Sequence, residues 1–210
     1  MNHRKREVCL QRGLSLLELL LAMSITVMVA GAIAAMLGAV SSGIGVRRDN
    51  RAVMVLSNAA QSRLSAYIAP SSCVLSIDGP NLVLWLGDSR QSGTVHATEL
   101  RWFLFDSTLG VLNVLYVDFP DEWSQAACDL EDNEYPSTTD WMSVLAEYQA
   151  AGWIVSQSLV DNLDSLAIST DLPVVIDSRH IFFELGFSTD AGTVSTTAAS
   201  TIRLLEQPVG

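Results

Sequence analysis

The sequence predicts an α+β chain: one long N-terminal α-helix, its inner half membrane-spanning, packed on a C-terminal antiparallel β-rich head. Three observations carry this prediction. From Leu14 to Val46 the chain is apolar apart from small hydroxyl residues, and Glu18 is its only charge. From Val53 to Ile68 apolar residues return at steps of three and four, as on one face of a helix. After Pro70 short apolar runs alternate with turn residues, the signature of strands.

The apolar run sets the first element. As a helix it is roughly 50 Å long, against about 30 Å for a bilayer core. Ahead of it, Arg4, Lys5, Arg6 and Arg12 stand against Glu7. Such a positive excess keeps the N-terminus cytoplasmic and sends the rest of the chain outward. A secretory signal starts the same way but has an apolar region of only about 7–15 residues; small residues for a signal cut occur at Ala32-Ile33-Ala34 and Gly38-Ala39. Glu18 fits neither a plain anchor nor a plain signal. Asp, Lys or Arg at the centre of a spanning helix costs about 2.5–3.5 kcal/mol, and a glutamate is not much cheaper. The carboxylate therefore calls for a partner, snorkelling to the interface being the alternative. Gly31-x-x-x-Ala35 and Ala34-x-x-x-Gly38 are small pairs of the kind that let helices approach closely, though such residues are ordinary in membrane helices.

Arg47-Arg48-Asp49-Asn50-Arg51 marks the exit from the apolar run. Val53, Leu56, Ala60, Leu64, Tyr67 and Ile68 continue an amphipathic helix that Pro70 ends, which gives one helix from Ser15 to Ile68. In the head, Cys73–Ile77 and Leu82–Leu86 flank Asp78-Gly79-Pro80-Asn81 as a hairpin; Glu99–Phe105 and Val111–Phe119 flank Ser107–Gly110 as a second. Pro120–Asp140 reads as an acidic loop. Trp141–Ala151 reads as a short helix closed by Gly152. Further strands are expected at Trp153–Leu159, Leu163–Ser169, Ile181–Phe187 and Ser200–Leu205, with a turn at Asp190-Ala191-Gly192.

The stretch Gly13-Leu14-Ser15-Leu16-Leu17-Glu18-Leu19, behind a basic leader, resembles the class III leader junction of type IV pilins and type II secretion pseudopilins. The resemblance implies a leader at 1–13 removed by a prepilin peptidase, with cleavage between Gly13 and Leu14 and N-methylation of Leu14. Phenylalanine is commonest at the Leu14 position, and the mid-helix proline of many major pilins is absent here. It further implies a helix at 14–69, with 14–46 in the membrane or filament core, and an extracytoplasmic head at 70–210. Partners are implied too: other pilins or pseudopilins through the N-terminal helix, and an inner-membrane assembly platform. The precursor is then expected in the cytoplasmic membrane, N-terminus inside and head outside, and later in a pilus or pseudopilus. Its head, by strand order and length, is most like J-type minor pseudopilins and W-type minor pilins. The family also supplies a partner for Glu18. Cleavage frees an α-amine, cationic below about pH 7.7–8.0, and in a staggered bundle one subunit's amine meets its neighbour's carboxylate. Such a buried pair sets register more than it adds stability. The rival reading is a plain membrane-anchored extracytoplasmic domain with a binding or enzymatic role.

Composition bounds the head. Without residues 1–13 the chain keeps 8 basic and 22 acidic residues, a net charge of −14, which repels nucleic acid. No phosphate-binding glycine loop, G-x-S-x-G or H-E-x-x-H motif is present, and His96 and His180 stand without a metal-ligand neighbour in sequence. A head without enzymatic activity or cofactor is expected. Cys73 and Cys128 can form a disulfide in an oxidising compartment or remain two thiols. Asp129, Glu131 and Asp132 in the acidic loop are weak calcium candidates, because the loop lacks the glycine that calcium loops use at their sharp turn. Trp85 and Trp102 are expected in the core. Trp123 and Trp141 flank the acidic loop, as core residues or as a partner contact.

Overall fold

The computed structural model describes residues 16–189 and 192–209, with side chains outside 40–50. The chain divides into two compact units, residues 1–48 and 49–210. Helix α1 is Leu16–Ile68. Its first part, Leu16–Ala39, is long and apolar enough to cross a membrane, and none of it is buried within the chain.

The second unit is antiparallel throughout. Strands β1 (Cys73–Asp78), β2 (Asn81–Trp85), β4 (Leu100–Asp106), β5 (Val111–Val117) and β7 (Ile154–Val160) form a five-stranded sheet in the order β1-β2-β4-β5-β7. Strands β8 (Leu163–Thr170), β9 (His180–Thr189) and β10 (Gly192–Thr201) form a three-stranded sheet with β9 central. A two-residue pair, β3 (Val95–His96) with β6 (Glu134–Tyr135), ties two loops together. Helices α2 (Gln125–Glu131) and α3 (Trp141–Ala151) come after the β4–β5 hairpin in the chain.

The five-stranded sheet separates two cores, because successive side chains on a strand point to opposite faces. On one face Val74, Leu82, Leu84, Phe103, Leu112 and Val114 meet Ile181, Phe183 and Leu185 of β9 and the α1 residues Val53, Ala60, Leu64 and Ile68. Those α1 positions lie at helical steps of seven, four and four, so one stripe of the helix is buried. On the other face Cys73, Val83, Trp85, Trp102, Leu115 and Val117 pack with Trp141, Val144, Leu145 and Tyr148 of α3. The α3 caps are chemical: the Asp140 side chain accepts from the Met142 N–H, and Gly152 at φ 81° takes the left-handed conformation that ends the helix. Gly110 is equally constrained. At φ 65°, its absent Cβ would stand 2.5 Å from the Leu163 carbonyl oxygen, so the tip of the β4–β5 hairpin sits directly on the start of β8.

Two expectations about the head are corrected. The acidic segment after Pro120 is not all loop: Ser124 caps α2 by accepting from the Ala127 N–H, and Glu134–Tyr135 pairs with β3. The last strand is Gly192–Thr201 rather than Ser200–Leu205. Apart from Gly192 and Val194 it is built from Thr, Ser and Ala, and its inward side chains are small where α1 lies close, so it lacks the run of large apolar residues that marks a buried strand.

Candidate functional site

The first candidate is the apolar part of α1. Every described side chain from Leu16 to Ala39 is exposed within the chain, and Glu18 lies in the first helical turn. Hydroxyls there are answered locally. The Ser24 hydroxyl donates to the Leu21 carbonyl at 2.8 Å and the Thr26 hydroxyl to the Ala22 carbonyl at 3.0 Å. Hydroxyls folded back in this way do not need water, as a hydrocarbon setting demands. Gly31 and Gly38 present open faces, with nothing within 4 Å of where a Cβ would stand. Gly13 and Leu14, the expected cleavage and methylation positions, lie outside the described residues.

The second candidate is a polar cluster in the head that sequence order conceals. Asp132, whose side chain is fully buried, accepts from the Thr98 N–H at 3.0 Å and the Thr98 hydroxyl at 2.7 Å. It pairs with the Arg90 guanidinium at 2.8 Å, and the same guanidinium reaches Asp129 at 2.9 Å. His96 is also buried and lies 3.9 Å from Asp132 and 3.7 Å from Glu134. Beside it Glu99 accepts from the Trp85 indole, from the Ser89 N–H and hydroxyl, and from the His96 N–H, at 2.6–3.2 Å. Among the described residues no buried side-chain nitrogen or oxygen lacks a hydrogen-bond partner. The cluster thus pins the 86–99 loop and α2 to the five-stranded sheet. Arg90 and Glu99 were not singled out by sequence: both partnerships cross the loop, and nothing in their spacing marks them.

The calcium candidates are split by this arrangement. Asp129 and Asp132 share Arg90, a cation supplied by the chain itself, while Glu131 closes α2. No group of three or more potential metal ligands occurs among the described residues. The Cys73–Cys128 disulfide is not formed. Cys73 is sealed in the second core, where burial pushes its thiol up to about 12, whereas Cys128 on α2 is half-buried and lines an open cleft with Ser89, Arg90, Thr98 and Phe119. His180 stands at the exposed start of β9, 2.9 Å from Asp171, whose carboxyl it holds below the usual range. Trp85, Trp102 and Trp141 are core residues. Trp123 is half-buried, stacked on Phe119 at 5.7 Å and edge-on to Trp153 at 5.3 Å.

Compared with known proteins, the chain matches no family model, no curated protein and no solved structure.

Proposed function

We propose that this chain is a prepilin-like assembly subunit, a minor pilin or minor pseudopilin, processed at Gly13 and carried into a filament by its N-terminal helix. The observation that carries the reading is Glu18, a single carboxylate in the first turn of α1, whose first 24 residues are apolar with every side chain exposed within the chain. A helix of this kind needs other helices or lipid, and a carboxylate near its start selects an arrangement that offers a cation. In this reading the amine freed at Leu14 of one subunit meets Glu18 of the next, and the head, which needs no catalytic group, contacts other minor subunits near the filament tip. The α+β layout, with the apolar helix first and an antiparallel head after it, supports the same reading.

The test is the mature N-terminus. Co-expression with a prepilin peptidase, with mass spectrometry of the product, is expected to give a chain beginning with N-methylated Leu14. An intact Met1, or a cut after Ala34, would sink the reading. Glu18→Ala is expected to leave cleavage intact and to impair methylation or assembly. Normal methylation and assembly of that variant would remove the pairing account while leaving processing in place.

A further inference from the structure

The two larger sheets have four edge strands: β1, β7, β8 and β10. An edge presents a row of unpaired backbone groups, and proteins blunt it with bulges, charges or proline. Three of these edges are blunted. β1 has a register shift between Val74 and Ser76, β7 skips Leu159 against β5, and β8 skips Asp164 against β9. β10 is different. It pairs with β9 without a shift over its ten residues, and it contains no charge and no proline.

The register also tells which of its backbone groups face outward. The Ile202 N–H donates to the Arg179 carbonyl, so residues 200, 198, 196 and 194 share the parity that bonds to β9. Residues 201, 199, 197, 195 and 193 then turn their N–H and carbonyl groups away from the sheet. Ala199 confirms this parity: its N–H donates to the Gln61 side-chain carbonyl at 3.0 Å, and its carbonyl accepts from the Gln61 amide nitrogen. The Gln61 carboxamide takes the place of one residue of a neighbouring strand. Among the described residues, no side chain covers the backbone of Thr193, Ser195 or Thr197 in this way. Beside Ser195 an open groove runs between β10 and α1, lined by Val53, Met54 and Ser57 on the helix side.

We infer that the β10 edge at Thr193–Thr197 is a docking site for an extended segment of a different, cationic partner chain, added as a further antiparallel strand. Backbone groups repeating at every second residue are met by a strand, not by a helix or a small molecule. The charge selects the partner. Residues 49–210 hold 6 basic and 21 acidic residues, a net −15, so a second copy is repelled. Two carboxylates meet the side-chain face of β10 from the strands behind it: Asp164 of β8, bonded to the Thr193 hydroxyl at 2.9 Å, and the exposed Glu184 of β9, register partner of Thr197. The inference stands on the head alone and does not depend on processing at Gly13.

The test uses the full, unprocessed chain in detergent micelles and the peptide Lys-Val-Thr-Val-Thr-Val-Thr-Lys as probe, read by residue-resolved amide hydrogen exchange. The expected result is slowing by at least about tenfold at Thr193, Ser195 and Thr197, with little change at Val194 and Thr196, whose N–H groups already serve β9. Ser195→Pro removes one outward N–H and leaves the ladder to β9 untouched, as proline at an edge position does. It is expected to abolish the slowing, while Ser195→Ala keeps it. Unchanged exchange at Thr196 and Phe183 verifies that the proline variant is folded. No slowing with millimolar peptide, or equal slowing in Ser195→Pro, overturns the docking site. Equal slowing by the same peptide with Glu at both ends overturns the cationic partner. Protection of the same three amides by self-association at high protein concentration, without peptide, assigns the edge to a second copy and overturns the choice of occupant.

Discussion

Helix α1 contains two stretches that the backbone does not distinguish and the environment does. Between residues 53 and 68 one stripe is buried, with Ala60, Leu64 and Ile68 all but removed from solvent, while Met54, Val55 and Leu56, the last expected on that stripe, stay exposed. Between residues 16 and 39 they fall all round the helix, and none is buried. The first stretch finds its apolar neighbours within the chain, in β9, β10 and the five-stranded sheet. The second stays exposed within the chain, and under the proposed function lipid or neighbouring helices cover it. Amphipathicity therefore marks the part of α1 that the chain itself holds, and uniform apolarity marks the part that it leaves exposed.

The largest expected effect breaks this comparison most directly. Leu64→Ala is expected to cost the head about 2–5 kcal/mol, since a fully buried leucine leaves a cavity that its neighbours only partly fill. Leu20→Ala, more than half exposed in the chain, is expected to change the same unfolding free energy by less than about 0.5 kcal/mol. Denaturant unfolding of the full chain in micelles, monitored by tryptophan fluorescence, reads the head, because all five tryptophans lie between residues 85 and 153. Equal midpoints for the two variants would mean that the 53–68 stripe does not hold the head together.

A second contrast concerns two carboxylates, Asp132 buried in the head and Glu18 exposed on the apolar part of α1. The head answers Asp132 from within, through Arg90 and Thr98. For Glu18 the proposed answer comes from another subunit. Arg90→Ala leaves the fully buried Asp132 with its hydrogen bonds and, among the described residues, no close cation other than a protonated His96. The expected cost is about 3 kcal/mol, at the low end for a broken buried pair because the Arg90 side chain is itself 27% exposed. Adding Asp132→Asn is expected to recover part of that loss, since the remaining group is then neutral. A double variant no more stable than Arg90→Ala would show that the hydrogen bonds, not the charge, matter at Asp132.

The same contrast explains what sequence could disclose. The stop of α1 was legible because Pro70 comes just after a periodic stripe, and α3 because a helical pattern ends at Gly152. Hairpins β1–β2 and β4–β5 announce themselves through Asp78-Gly79 and Ser107–Gly110. Glu18 stood out because its neighbours in sequence already define its surroundings. What stayed hidden depends on distant parts of the chain. Residues 192–199 form a strand although their inward positions hold Val194, Thr196 and Ala198, because α1 lies across them. α2 is short and acidic and is stabilised from outside: Asp129 by Arg90, and the Glu131 carbonyl by the Tyr148 hydroxyl at 2.7 Å. The union of Arg90, His96, Glu99 and Asp132 joins residues more than thirty apart in the chain, and no spacing rule encodes it.

The smallest expected effect sharpens the comparison by placing one extra methyl group in each setting. At Gly152 the methyl meets nothing, but the residue sits at φ 81°, where an L side chain crowds its own backbone. Gly152→Ala is expected to destabilise the head by about 1 kcal/mol through that strain alone. Gly31 also has open space around it, but it lies inside a helix, where alanine is favoured over glycine by about 1 kcal/mol. Gly31→Ala is therefore expected to leave the head's unfolding midpoint unchanged and to increase helicity in micelles, by circular dichroism. If Gly31 serves close approach between helices of neighbouring subunits, the same methyl group is expected to weaken assembly while the isolated chain is unharmed. A variant that assembles normally would assign Gly31 to the lipid-facing side of the helix and leave Ala34 and Gly38 to make any close helix contact.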